Sequence, residues 1–190
     1  MKYDFIIIGS GIIGLTLAFK LKKNQPSSKI LILEKETDSI QHGSGRNSGV
    51  IHSGVYYDPG SLRATLGVRG GVELKEYIKS KQLWIDECGK LLIPTSENSF
   101  QNIESLFQRG VSNGVVIKKL TGNEIQSLEP NINTKYNSGL LIPFTSVADP
   151  KEVSKSLLFD LKQLGVDVFY NEQVIKIEDE GKIIISHLKS

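Results

Sequence analysis

The sequence predicts an α/β fold: a parallel sheet covered by helices and interrupted by a segment of α+β character. Three observations carry this. A short apolar run, YDFIII at residues 3–8, passes at once into GSGIIG at 9–14 and then into a helical pattern. A second apolar run, KILIL at 29–33, ends on Glu34. Later, DPKE at 149–152 opens a helix that leads to two more short apolar runs, 166–169 and 173–177. Strands that alternate with helices in this way build parallel sheets.

Composition narrows the function classes. The chain has 190 residues, 39% hydrophobic and 23% charged, which is an ordinary globular balance with material for one full core or two small ones. The formal net charge is +2, and no run of lysine or arginine exceeds two, so a nucleic-acid surface built on phosphate neutralisation is not expected. One cysteine, Cys88, excludes an internal disulfide framework and a clustered thiolate metal site; it reads as a small buried hydrophobe. No metal site is expected. The first apolar run is too short for a signal peptide or a membrane span, so the chain reads as cytoplasmic or peripheral.

The elements follow in order. Residues 3–8 are β-branched and aromatic, as in a strand buried on both faces. Behind the glycines, Ile13, Leu17 and Leu21 recur every four residues and predict the helix stripe that faces the sheet. Gly9 is placed to allow the tight turn, Gly11 to let a pyrophosphate reach the main chain, and Gly14 to let helix and strand pack closely. The helix start offers free amides to the phosphates. Glu34, at the carboxyl end of the second strand, is suited to both ribose hydroxyls of an adenosine. Strand, glycine turn, helix, strand and acid in this register form a Rossmann-like dinucleotide site.

The next stretch, HGSGRNSGVIHSGVYY at 42–57, holds four glycines and three serines. It is either a slack linker or a place where a ligand comes close to the backbone. Ser44 to Gly49 is too small and polar for a packed helix, and suits wrapping amides and hydroxyls around a second portion of a long cofactor. A helix is expected over 61–81. Beyond 82 the texture changes to short strands at 83–85, 90–93, 115–120 and 139–143, with a helix near 99–112. Thr121 and Glu124 predict a capping box for a helix that stops before Pro130. Asp149, Pro150 and Glu152 predict another helix start, with Val153, Leu157, Leu161 and Leu164 as its apolar stripe to Gly165. The runs that follow return the chain to the first sheet.

On DFIIIGSGIIGLTLA (4–18), LILEK (31–35) and above all GRNSGVIHSGVYYDPGSLRATLGVRG (45–70), continuing in outline through SVADP to residue 178, the chain resembles a known family. This is the family of flavin-dependent oxidoreductases of the D-amino-acid oxidase and glycerol-3-phosphate dehydrogenase type, and the subgroup it looks most like is L-2-hydroxyglutarate dehydrogenase or oxidase. The resemblance implies a Rossmann-like FAD-binding domain with a parallel sheet over 1–82, part of an inserted α+β substrate domain over 83–148, and a return to the FAD domain over 149–190. It implies FAD as cofactor and oxidation of an L-2-hydroxy dicarboxylate to its 2-oxo acid. Gly9, Ser10, Gly11, Ile13, Gly14, Glu34 and Lys35 would then hold the ADP half, with the backbone near Val174 at the adenine. Ser44, Asn47, Ser48 and Gly49 would lie along the pyrophosphate and flavin.

His52 is the polar residue that the resemblance brings near the reacting ring. It is either the base on the substrate hydroxyl or a histidine satisfied by backbone in a glycine-rich turn. Covalent flavin attachment through His42 is not favoured, and His187 reads as solvated. Arg46, Arg63 and Arg69 are candidates for a substrate carboxylate, although Arg63 and Arg69 read better as a solvated helix face. Tyr56 and Tyr57 either roof a pocket or pack in a core. Family members are about double this length, so the resemblance implies an amino-terminal portion. Activity would require the remaining half, from the same or a second chain; the residues do not specify the electron acceptor, and the resemblance is compatible with a quinone at the periphery of the inner membrane in place of oxygen. The alternatives are a fragment that binds FAD or ADP without chemistry, and a relative acting on glycerol 3-phosphate or an amino acid.

Overall fold

Phe5–Ile8 (β1) pairs in parallel with Ile30–Leu33 (β2), with Ile12–Asn24 (α1) as the crossover between them. The computed structural model describes residues 2–178 and the backbone of 183–187. It divides into two compact units, Met1–Ser48 with Asp149–Ser190, and Gly49–Ala148. The chain changes unit at Ser48/Gly49, where the sequence reading sets its first boundary after residue 82, and again at Ala148/Asp149.

After a 3-10 turn at Gly43–Gly45 the chain enters the second unit with Val50–Ile51 (β3) and Leu62–Ser80 (α2). Next come Ile85–Asp86 (β4), Lys90–Leu92 (β5), Glu97–Gln101 (α3) and Ile103–Ser112 (α4). Lys118–Thr121 (β6), Gly122–Leu128 (α5), Ser138–Ile142 (β7) and Ser146–Ala148 (β8) complete it. Two antiparallel sheets form, in the orders β3-β8-β4 and β5-β7-β6. Val55, Val115 and Ile142 make a core against which Val68, Leu92, Leu106 and Ile117 pack. The helix read over 61–81 belongs here because α2 packs on β4 and its Gly71 lies against Phe144.

Local chemistry sets several of these ends. Ser61 caps α2 by accepting from the Ala64 amide, and Thr121 and Glu124 make the expected reciprocal capping box on α5. The helix expected over 99–112 is broken at Asn102, because a separate box between Ser96 and Ser99 starts α3 and its last turn closes on Asn98. Cys88 is exposed, not buried. It sits in the connection between β4 and β5 beside Gly89, whose φ of 75° turns the chain, and such connections run over the surface.

Lys75 of α2 is nearly buried and pairs with Glu87 at 2.6 Å, while Lys79 meets the other oxygen of the same carboxylate at 2.7 Å. Lys75 first, and then Lys79, hold the Glu87 carboxyl down to about 2 from an ordinary 4.5. A depressed folded value means that the pair stabilises fully above about 4.5 and that this contribution disappears as pH falls through about 2. Glu87→Gln is therefore expected to melt below the wild type at neutral pH, and the gap should close across this acid window in thermal denaturation followed against pH.

The first unit resumes with Pro150–Gln163 (α6), Asp167–Phe169 (β9), Glu172–Ile177 (β10) and Ile183–His187 (β11). Asp149 caps α6 by accepting from the Lys151 and Glu152 amides at 2.7 and 3.4 Å; the reciprocal reach of Glu152 is not formed among the described residues. β9 joins β2 in parallel, giving the order β1-β2-β9. β10 does not enter that sheet. Asn171, at φ 59°, turns it into an antiparallel pair with β11. The solvation expected of the His187 side chain lies outside what is described.

Leu15 and Ala18 of α1, Ile30 and Ile32 of β2 and Val153, Leu157 and Leu161 of α6 form the core of this unit; Leu164, beyond the last turn, is half exposed. The stripe expected to face the sheet, Ile13 and Leu17, is 81% and 49% exposed. Gly14 is pressed against Gly9, so the same face one turn on, Ala18 with its neighbour Leu15, turns inward. β1 likewise buries only Ile7, while Ile6 and Ile8 are exposed, because among the described residues it is an edge strand paired only with β2.

Candidate nucleotide-binding cleft

The turn after β1 is built from conformations that favour glycine. Gly9 has φ 96°, and its amide donates to the Leu33 carbonyl at 2.8 Å, tying the ends of β1 and β2 together. A Cβ on Gly14 would overlap the Gly9 carbonyl oxygen, so only a bare α-carbon lets α1 start this close to the strand. A Cβ on Gly11 would lie 3.0 Å from the Ser44 hydroxyl, which accepts from the Ile12 amide at 3.0 Å. The amides of Ile13 and Gly14 have no acceptor among the described residues. With no acidic side chain in the first turn of α1, this end offers donors and a positive dipole to an anion.

At the end of β2, Glu34 is only 7% exposed. One carboxylate oxygen accepts from both the amide and the hydroxyl of Ser10, each at 2.8 Å, and the other accepts from the Glu36 amide at 3.0 Å. Burial pushes its carboxyl upward, but the amides of Glu36, Ser10 and Lys35 with the Ser10 hydroxyl hold it below the ordinary carboxylate range. Glu34 is thus an oriented anion. Its main chain also receives the Glu172 amide at 2.9 Å, which places the start of β10 beside it.

These parts enclose a cleft of about 340 Å3 in the first unit. Gly9, Gly11, Glu34, Lys35, Ser44 and Val174 all line it, six of the residues marked from sequence. It joins bare main chain and helix amides at one end to a buried carboxylate at the other, a donor and acceptor set that fits the diphosphate and ribose of an adenine dinucleotide. The remaining marked residues are placed differently. Ser10 is buried behind the cleft with its amide and hydroxyl committed to Glu34. Asn47 donates to the carbonyls of Gly43 and Ser44, at 3.2 and 2.9 Å, and braces the turn that presents Ser44. Ser48 ends the first unit and Gly49 opens the second.

His52, in the second unit, is exposed, and its imidazole makes no hydrogen bond among the described residues. Arg46 is exposed. Arg63 and Arg69 lie on the solvent face of α2, one over the Tyr57 ring at 5.1 Å and the other paired with Glu73 at 2.7 Å. Tyr56 is partly exposed, with its hydroxyl accepting from Lys90 at 2.8 Å.

Ile40, Gln41 and Gln173 line the cleft without having been marked, and so does His42, whose ring meets the Glu36 carboxylate at 2.8 Å. Ile40 stands at φ 68°, a conformation that a β-branched residue seldom adopts and that no local signal announces. In the second unit a cavity of about 390 Å3 lies between β5 and the α3–α4 pair, but its Ser99 and Asn102 side chains are spent on helix capping and local bonds. Among the described residues no helix is long and apolar enough to cross a membrane, and no three His, Cys, Asp or Glu side chains gather to hold a metal.

Comparison with known proteins agrees with the cleft. The chain is 44% identical over 192 residues to the mitochondrial L-2-hydroxyglutarate dehydrogenase of Dictyostelium discoideum, covering 96% of this chain and 43% of that protein. It is 36% identical over 183 residues to the L-2-hydroxyglutarate dehydrogenase of Escherichia coli strain K12, with the same coverage. The chain thus spans less than half the length of these relatives. Among solved structures, the FAD-bound L-alpha-glycerophosphate oxidase of Mycoplasma pneumoniae superposes with a TM-score of 0.84 at 28% identity, over 97% of this chain and 50% of that one. The glycine oxidase of Geobacillus kaustophilus, with a TM-score of 0.80 at 19% identity, shares the fold. The family described as FAD dependent oxidoreductase matches residues 4–188; with a Rossmann-like turn, an oriented Glu34 and a match across nearly its whole length, this chain belongs to that FAD-dependent family.

Proposed function

We propose that this chain carries the ADP-holding cleft and the first part of the catalytic region of an enzyme that oxidises an L-2-hydroxy acid, with L-2-hydroxyglutarate and 2-oxoglutarate as substrate and product. The observation that carries the reading is 44% identity across 96% of the chain to an L-2-hydroxyglutarate dehydrogenase. Gly9 and Gly11 admit the diphosphate, and the amides of Ile13 and Gly14 donate to it. Glu34 uses lone pairs left by Ser10 and Glu36 to accept from the ribose hydroxyls, the backbone at Val174 meets the adenine, and Asn47, Ser48 and Gly49 continue toward the flavin. When bound, FAD supplies the acceptor for the hydride that leaves C2 of the substrate.

His52 takes the proton from the substrate hydroxyl on a ring nitrogen. Its exposed ring, with no hydrogen bond among the described residues, favours this role over that of a locally satisfied histidine. Arg46 pairs with a substrate carboxylate. A quinone at the membrane periphery takes the electrons on, and the rest of the fold, on this or a second chain, is needed for turnover.

With the rest of the fold supplied, L-2-hydroxyglutarate is expected to bleach the bound flavin faster than glycerol 3-phosphate, lactate or glycine. His52→Asn should slow that reduction by about 10²–10⁴-fold with FAD affinity unchanged in titration. Reduction at the wild-type rate retires the base role. A second reading, a module that holds FAD without chemistry, is favoured by the confinement of the whole cleft to the first unit. Uptake of FAD with no reduction by any of these substrates selects it.

A further inference from the structure

Lys75 is a charged side chain that the proposed chemistry leaves unused, and it is only 8% exposed. A buried ammonium persists only where good partners replace its water. Three do so: the Glu87 carboxylate at 2.6 Å, the Phe144 carbonyl oxygen at 3.1 Å and the Phe144 ring at 4.3 Å. One turn earlier on the same face of α2 is Gly71. A Cβ built there would lie 3.2 Å from the Phe144 ring and 3.3 Å from the carbonyl oxygen of His52. One helix face thus holds the residues that precede β8 and follow β3.

Those segments are neighbours. Val50 pairs with Val147 and Ile51 with Ser146, so the next step of the antiparallel register sets His52 beside Thr145. On the far side of the turn, the Asn113 amide donates to the carbonyls of Gly54 and Tyr57 at 3.0 and 2.8 Å. The backbone around His52 is held from two sides while its ring stays exposed.

We propose that Lys75 is a positioning residue for His52: by drawing Phe144 onto Gly71 it fixes the main chain from which the imidazole projects. The catalytic consequence rests on the base role proposed above; the clamp itself does not. A methionine would fill the same volume but take one of two donors from each acceptor, leaving the Phe144 carbonyl with the Ser146 hydroxyl alone and the Glu87 carboxylate with Lys79 alone.

The test compares Lys75→Met, Lys75→Arg and Glu87→Gln in the FAD-loaded protein. Lys75→Met should speed backbone hydrogen exchange across residues 50–57 by about tenfold, with exchange in β1 and β2 and FAD affinity unchanged. Lys75→Arg should restore most of the protection. In flavin reduction by L-2-hydroxyglutarate with the rest of the fold supplied, Lys75→Met should lower the limiting reduction rate by about tenfold with the half-saturating substrate concentration within about twofold, and Lys75→Arg should recover it. Unchanged exchange at 50–57 in Lys75→Met overturns the proposal, as does a loss of protection spread evenly over the second unit that arginine fails to rescue. If Lys75→Met does not fold, Glu87→Gln decides, with faster exchange at 50–57 expected and wild-type exchange overturning. Wild-type reduction by His52→Asn would remove the base role and leave the exchange result to judge the clamp.

Discussion

Gly14→Ala is expected to lower the melting temperature by about 4–8 °C and to abolish measurable FAD binding. The added Cβ would overlap the Gly9 carbonyl oxygen and lie 3.3 Å from Ile7 Cγ2. That oxygen belongs to backbone in a turn whose own amide is bonded to Leu33, so it has no rotamer by which to move away. α1 must lift from β1 instead, loosening the inward face at Leu15 and Ala18. Overpacking of this kind costs about 3 kcal/mol at the upper end. The better helix propensity of alanine returns about 1 kcal/mol, and the net of about 2 kcal/mol converts to that temperature shift for a chain of this size. Lifting the helix would also carry the amides of Ile13 and Gly14 away from the place proposed for the diphosphate. Gly43→Ala is the matched control, since a Cβ there meets nothing within 4 Å. Thermal melts and calorimetric titration with FAD measure both quantities, and a Gly14→Ala protein with wild-type values would contradict the cleft as described.

Glu34→Ala is expected to weaken FAD and ADP binding by about 10–100-fold and to cost about 2 kcal/mol of stability in urea unfolding. The binding loss is that of hydrogen bonds to a charged acceptor. The stability loss arises behind the ligand, where the Ser10 hydroxyl is fully buried and would lose the Glu34 oxygen it donates to at 2.8 Å. Glu34→Gln keeps an acceptor oxygen for Ser10, so it should recover part of the stability while binding stays weak. The acid dependence has a definite sign. Because the carboxyl is held below its ordinary range by the donors that outweigh burial, its contribution is complete above that range and is lost only as pH falls through the lowered value. Equal affinity of wild type and Glu34→Ala for ADP, which lacks the flavin, would remove Glu34 from the ribose.

Much of the cleft was legible because its signals are local. A glycine is needed at Gly9 for the positive φ and at Gly14 for the close approach, and both needs are met within one turn of chain. Ser61 was within reach as well, since it begins the stretch read as a helix and supplies its cap. Gln41 and Gln173 were not legible: they reach the cleft through an isoleucine at φ 68° and through the first pairs of a hairpin, neither of which has a composition signature. The sequence suggests for His42 only a covalent anchor, yet it stands at the carboxylate end of the cleft, paired with Glu36.

By itself the sequence determined the strand, turn, helix and strand order over residues 3–34, the capped starts at Thr121 and Asp149, the position of Glu34 after β2 and the family to which they belong. These depend on φ preferences, hydrogen bonds within a few residues and the period of apolar side chains, all written along the chain. Tertiary structure decided which face of α1 turned inward, that β10 left the parallel sheet, that α2 joined the second unit and that a lysine was buried against Glu87 and Phe144. Each of those outcomes depends on a partner distant in sequence, and an apolar period or a lone charge carries no record of which distant surface will meet it.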